Sequence, residues 1–142
     1  MGGFMSAAAR RALAAYGAVH TQTVADGADP ATLVRLLFDG VVDALLDGEG
    51  RISRNHRLGK AKALQKATEI ILALKASLNT EAGGELAGTL DELYSYCLRR
   101  LLHANLHNDL VALKEVRALL EELRSGWGEM AKAQVKAQAK GA

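Results

Sequence analysis

His103 and His107 stand four residues apart, a spacing that puts two imidazoles on one face of a helix. Two such nitrogens are half of a structural zinc site, which takes four ligands. Asn105 interrupts the helical reading between them. A pair of polar side chains at a helix corner is therefore the expectation, with a two-ligand metal site as the alternative. Di-iron bundles need a Glu three residues before a His on each of two helices. None of His20, His56, His103 and His107 has one. The single cysteine, Cys97, falls on an apolar stripe and reads as a small buried hydrophobe rather than a nucleophile. Arg99-Arg100 and the spaced Lys132, Lys136 and Lys140 read as a solvated face and a helix end. There is no glycine-rich phosphate loop and no paired-cysteine spacing. The chain is expected to hold no metal or cofactor and to catalyse nothing.

Composition agrees with that reading. The 142 residues are 49% hydrophobic but only 4% aromatic, with one proline. Ala and Leu are the best helix formers, and a chain with one proline can be helical almost throughout. A net charge of +2 with both signs mixed is ordinary solubility. Aromatics are too sparse to stack on bases, so nucleic acid is not an expected partner. No apolar run reaches the ~20 residues of a membrane span. Residues 12–19 behind Arg10-Arg11 are too short and too broken by Tyr16 and Gly17 to read as a signal sequence. Met1-Gly2 with Ser6 matches the myristoylation pattern by letter only. A lone cysteine fits a reducing compartment, and the cytoplasm is the expected location.

The elements follow from periodicity. Residues 1–28 form an Ala-rich segment, with Leu13, Tyr16 and Val19 at three-residue spacing, and then a linker. Asp29-Pro30 is a helix start, with Asp29 as N-cap and Pro30 in the first turn. The first helix carries Leu33, Val34, Leu37, Phe38, Val41, Val42 and Leu45, and Gly48 and Gly50 are expected to stop it. Asn55 is the candidate cap of a second helix with Leu64, Ala67, Ile71, Leu74 and Leu78 on one face. Gly83-Gly84 turns the chain into a third helix. Leu86, Leu90, Leu93, Cys97 and Leu101 share one of its faces, and Tyr94, Leu98 and Leu102 an adjacent one. Asn105 and Asn108 are candidates to end it and to cap the next. Leu106, Leu110, Leu113, Val116, Leu120, Leu123 and Trp127 then step by four, three, three, four, three and four, a continuous helical face. The Ala/Lys/Gln run 131–142 reads as a tail able to extend that helix.

Short connections make consecutive helices antiparallel neighbours. The expected fold is all-α: an antiparallel up-down-up-down four-helix bundle over 29–130, with a short N-terminal helical segment. A bundle helix needs to bury only about a 100° stripe. The first and third helices are apolar over more than that. The surplus must be covered by the N-terminal segment, a second copy or an amphipathic partner.

Several groups of residues resemble a known family in order along the chain. Asp29-Pro30 with Leu33, then Leu37-Phe38-Asp39-Gly40-Val41, resembles the Ser-Pro…Leu-Tyr-Asp-Gly-Ala-Ile signature of the flagellin-specific export chaperones of the flagellar type III secretion system. Glu69-Ile70-Ile71, Gly83-Gly84-Glu85-Leu86-Ala87, Leu93-Tyr94-Ser95-Tyr96, Arg99-Arg100-Leu101, Ala104-Asn105, Glu115-Val116 and Trp127 continue the match. Phe38 departs from the family's tyrosine and lacks its hydroxyl. The resemblance implies an antiparallel four-helix bundle acting as a cytosolic chaperone. Such a protein binds the C-terminal segment of flagellin in apolar grooves, prevents early polymerisation and aids export. Other flagellar export or regulatory proteins are the further partners it implies. It also implies a lid over the client groove, and Tyr16 holds the matching position.

The residues expected to meet client are Tyr16 as lid, Phe38, Val41, Val42 and Leu45 on the first helix, and Tyr94, Leu98 and Leu101 on the third. A stripe that faces a groove and one that faces a core look alike in sequence, so core packing is the alternative for each apolar member. Asp39 and Gly40 are expected to be structural. The alternative function is a helical homodimeric adaptor unrelated to flagella.

Overall fold

The computed structural model describes residues 30–78 and 80–141. Tyr16, Asp29 and the expected N-terminal helical segment lie outside the described residues. Four helices fill the described residues: α1 (Pro30–Ser53), α2 (Arg57–Ala76), α3 (Thr80–His107) and α4 (Leu110–Gly141). Among the described residues there is no strand. Each helix packs on its neighbours in sequence, and α4 closes the ring against α1.

Cross-contacts give the register of every pair. Between α1 and α2, Gly40 faces Ile70 and Gly48 faces Leu64. Between α1 and α4, Arg117 meets Glu49, and Arg124 meets Asp39 at 3.2 Å. Lys75 pairs with Asp91 at 2.9 Å across α2 and α3. Arg100 pairs with Glu115 at 2.9 Å across α3 and α4. Lys60 also reaches Asn105 across α2 and α3, and His103 reaches Asp109 where α3 gives way to α4, so in each pair one number rises as the other falls and all neighbours are antiparallel. This is the expected up-down-up-down bundle.

The core comes from stripes at helical spacing. Phe38, Val41 and Leu45 of α1, Leu64, Ile71 and Leu74 of α2, Tyr94, Cys97 and Leu101 of α3, and Leu113, Val116 and Leu120 of α4 meet along the axis. Trp127 extends the core along α4. With so few aromatics, the interior is filled mainly by branched aliphatics and alanine.

The structure corrects several local expectations. Gly48 and Gly50 do not stop α1, which continues to Ser53. A Cβ on Gly48 would sit 2.9 Å from Leu64 Cδ2 and 3.4 Å from Leu113 Cδ2. Glycine is thus the residue that lets α1 pass close to both α2 and α4, and tertiary packing outweighs its poor helix propensity of about 1 kcal/mol. Asn55 does not cap α2. It takes the left-handed conformation (φ 55°) that turns the chain. His56 occupies the N-cap position and makes no side-chain capping bond.

At the far corner Asn105 lies inside α3, and Asn108 (φ 51°) ends the helix. The cap of α4 is Asp109, whose Oδ1 accepts the Ala112 N–H at 3.1 Å. Leu106 belongs to α3 and is 68% exposed, so the long apolar face read across this corner begins only at Leu113. The expected glycine turn is sharper than the pair suggests. Gly84 alone breaks the helix, with φ 57° and ψ −135°.

Candidate functional site

The two ends of the bundle differ. Running from α1 to α2 and from α3 to α4, the two corners meet at one end. Lys60, nearly buried, ties them together there. Its ammonium donates to the Asn105 carbonyl at 2.9 Å and to Asn108 Oδ1 at 2.7 Å.

From this end an open cleft of about 690 Å³ runs down between α2 and α3. Leu64, Leu72, Leu98, Leu101 and Leu102 line it, with Gln65, Glu69 and Asn105 supplying the polar lining. Leu72 is 48% and Leu102 61% exposed, so leucines face solvent from both walls. The apolar lining follows from spacing: Leu64, Thr68 and Leu72 repeat every four residues on α2, as Leu98 and Leu102 do on α3. An amphipathic helix laying its apolar side chains into such a groove would bury these leucines.

The neighbouring seam, where α3 meets α4, is closed by polar bonds. The Tyr96 hydroxyl donates to Glu115 Oε2 at 2.6 Å, and Arg100 donates to Oε1 at 2.9 Å. These two donors hold the Glu115 carboxyl below its ordinary range, the tyrosine bond contributing most. The same carboxylate pushes the Tyr96 phenol up. Arg99 stacks 5.9 Å over the Tyr96 ring. On the α1–α4 seam, Arg117 bridges Glu49 and Glu121. Asp39 pairs with Arg124, and a Cβ on Gly40 would come within 3.3 Å of Ile70 Cδ1, so both residues serve the packing.

Of the residues singled out in the sequence, Leu98 and Leu101 line the cleft. Leu98 is half-buried, and Leu101 is 2% exposed at its floor. Phe38, Val41, Val42, Leu45 and Tyr94 come together in the core. Tyr16 lies outside the described residues. Sequence reasoning passed over Leu64, Leu72 and Leu102. The signal for Leu102 was present, since it shares the stripe of Tyr94 and Leu98, one step beyond what a core needs. Leu72 stood out only as an extra apolar residue beside the α2 core stripe.

His103 and His107 do share a face, with rings 4.6 Å apart, because α3 runs unbroken through Asn105. His103 Nε2 lies 3.1 Å from Asp109 Oδ2. Among the described residues no group of three or more His, Cys, Asp or Glu is placed to hold a metal. Cys97 is fully buried, and burial pushes its thiol up to about 11. No helix among the described residues is long and apolar enough to cross a membrane.

The molecule is thus an antiparallel helical bundle with polar bonds along its seams and an open leucine-lined cleft on one side. The chain belongs to the family described as flagellar protein FliS, whose model matches residues 12–134. It is 41% identical to the flagellar secretion chaperone FliS of Salmonella typhimurium over 117 residues, 82% of this chain and 87% of that protein. It is 40% identical to the flagellar secretion chaperone FliSB of Pseudomonas aeruginosa, over 84% of this chain and 94% of that one. The FliS of Bacillus subtilis is 30% identical over 76% of this chain and 80% of its own.

Proposed function

We propose that this protein is a flagellin export chaperone acting in the cytoplasm, and that it holds the C-terminal segment of flagellin in apolar grooves of the bundle. Holding that segment prevents premature polymerisation and keeps the subunit ready for export. The observation that carries the reading is the open cleft between α2 and α3 in a chain of the FliS family. An amphipathic segment that folds on binding gives up ordering entropy, which offsets part of the contact energy and leaves the complex releasable. Release of this kind needs neither ATP nor catalysis.

In this reading Leu98 and Leu101 touch client from the cleft wall and floor, beside Leu72 and Leu102. Phe38, Val41, Val42, Leu45 and Tyr94 contribute as the core that sets the spacing of the cleft walls. Residues 1–28, with Tyr16, act as the lid that gives way to client, while 29–130 form the binding body. Other flagellar export or regulatory proteins are its further partners.

The test is gel filtration with light scattering on this chain, alone and with the C-terminal segment of flagellin from the same source. A one-to-one complex is expected, with its affinity altered by Tyr16→Ala. A stable homodimer that forms no complex at tens of micromolar would replace this reading with a self-associating adaptor.

A further inference from the structure

The corner end of the bundle carries charge that the fold does not use. Residues 51–62 contain Arg51, Arg54, His56, Arg57, Lys60 and Lys62, with no acidic residue among them. Arg51 has a carboxylate partner, Asp47, at 3.2 Å. Lys60 is spent on the α3–α4 corner. Exposed Arg54, Arg57 and Lys62 have no carboxylate within ion-pairing reach among the described residues. The acids of this end are occupied: Asp47 by Arg51, Glu49 by Arg117, Asp109 by His103 and the Ala112 amide. Arg57 and Lys60 also stand in the first turn of α2, which has no acidic residue. Cations there oppose the helix dipole, so this arrangement costs the fold stability.

Two further features lie at the same end. A small polar pocket of about 110 Å³ opens between the corners, lined by Arg51, Asn55, His56, Arg57, Lys60 and Asn108. Its size suits the end of one acidic side chain. The most exposed large apolar residues of the described chain also gather at these corners: Val111 is 76% exposed, and Leu58 and Leu106 are each 68% exposed.

We propose that this corner end is a second docking surface, separate from the client cleft, for an acidic amphipathic segment of a partner protein. Carboxylates of the segment are received by Arg54 and Arg57, and its apolar side chains cover Leu58 and Leu106. Arginine forks match carboxylates two bonds at a time, which favours a peptide acid over a diffuse counter-ion layer. A bilayer is the poorer fit, because a concave pocket cannot meet a plane. Membrane-surface sites also set aromatic rings at the headgroup level, whereas Phe38, Tyr94 and Trp127 are buried and Tyr96 is bonded to Glu115. Single-stranded nucleic acid stacks best on Phe, Tyr or Trp, and this end has none of them exposed among the described residues. The proposal does not depend on what occupies the cleft.

The probe is a synthetic helical peptide with leucines on one face and glutamates flanking them, and a control peptide with every Glu replaced by Gln. Titrated into the isotope-labelled full chain and followed by NMR, the acidic peptide is expected to shift amides of residues 51–62 and 103–111. It should bind equally well when the flagellin segment is already present. Arg54→Glu with Arg57→Glu should weaken it at least tenfold and flatten its salt dependence, whereas Lys114→Glu on α4 should not. Leu58→Ser gives an independent loss without altering charge. Equal binding by the Gln peptide, shifts confined to Leu72 and Leu98, or an unchanged affinity in the double variant would each overturn the proposal. So would sedimentation of the chain with vesicles containing phosphatidylserine while the peptide fails to bind.

Discussion

Asp109 shows how one side chain can set a corner. It caps α4 through Ala112 and sits beside His103, and the cap bond is the largest cause holding its carboxyl below the ordinary range. A depressed carboxyl contributes stability above the ordinary value of about 4, and that contribution is lost as pH falls through the lowered value. Asp109→Asn keeps an acceptor for the cap but removes the charge. In urea unfolding from pH 7 to 2.5, the native chain is expected to exceed the variant at neutral pH, with the gap closing below about pH 4. A gap constant across that range would assign Asp109 no ionic role. Cys97 gives the opposite case, a group silenced by its surroundings. With its thiol raised to about 11 and no exposed surface, it should react with a disulfide reagent at pH 8 on the order of a hundredfold more slowly than after unfolding. Fast labelling of the folded chain would mean that α3 leaves the core. Burial of Cys97 was legible in its stripe. The cap was not, because Asn105, Asn108 and Asp109 are all capable of it by residue type, and only the left-handed turn at Asn108 decides among them.

Glycine carries opposite meanings in α1 and α3. By propensity alone Gly48 and Gly50 end a helix, yet α1 runs through both. Gly48 faces Leu64 so closely that a Cβ there would make the end of that leucine shift. Gly88 in α3 has nothing within 4 Å of its missing Cβ. Gly88→Ala should therefore stabilise the protein by about 0.5–1 kcal/mol, from helix propensity with no clash. Gly48→Leu should destabilise it by about 1–3 kcal/mol, because extra methyls must displace a packed core. Denaturant midpoints decide both, and a tolerated Gly48→Leu would mean that α1 and α2 can move apart at no cost. Stripe spacing made the existence and facing of all four helices readable. The end of α1 was not, because a glycine at a helix crossing and a glycine at a helix stop are the same letter until the partner helix is placed.

Taken whole, the bundle separates two jobs that sequence cannot distinguish. Leu120 and Leu72 are both leucines on amphipathic helices, and both add to an apolar face. Leu120 is fully buried, while Leu72 is 48% exposed in the cleft wall. The difference depends on which way α2 and α3 splay, a property of the assembled ring rather than of either helix. For the same reason Phe38 and Leu98, alike as groove candidates in the sequence, part company here: one packs in the core, the other lines an open surface. Leu120→Ala should lower stability by about 2–5 kcal/mol through a cavity at the α4 stripe. Client affinity, measured well below the new melting temperature, should change little. Leu72→Asp should shift stability by no more than about 0.5 kcal/mol, as surface substitutions do. By placing a carboxylate in the cleft proposed to take client, it should weaken binding of the flagellin segment at least tenfold, about 1.4 kcal/mol or more. Calorimetric titration of the segment into each variant, with melting curves alongside, separates the two effects. If Leu72→Asp bound client as tightly as the native chain, the cleft between α2 and α3 would not be the groove, and client would have to take another face of the ring.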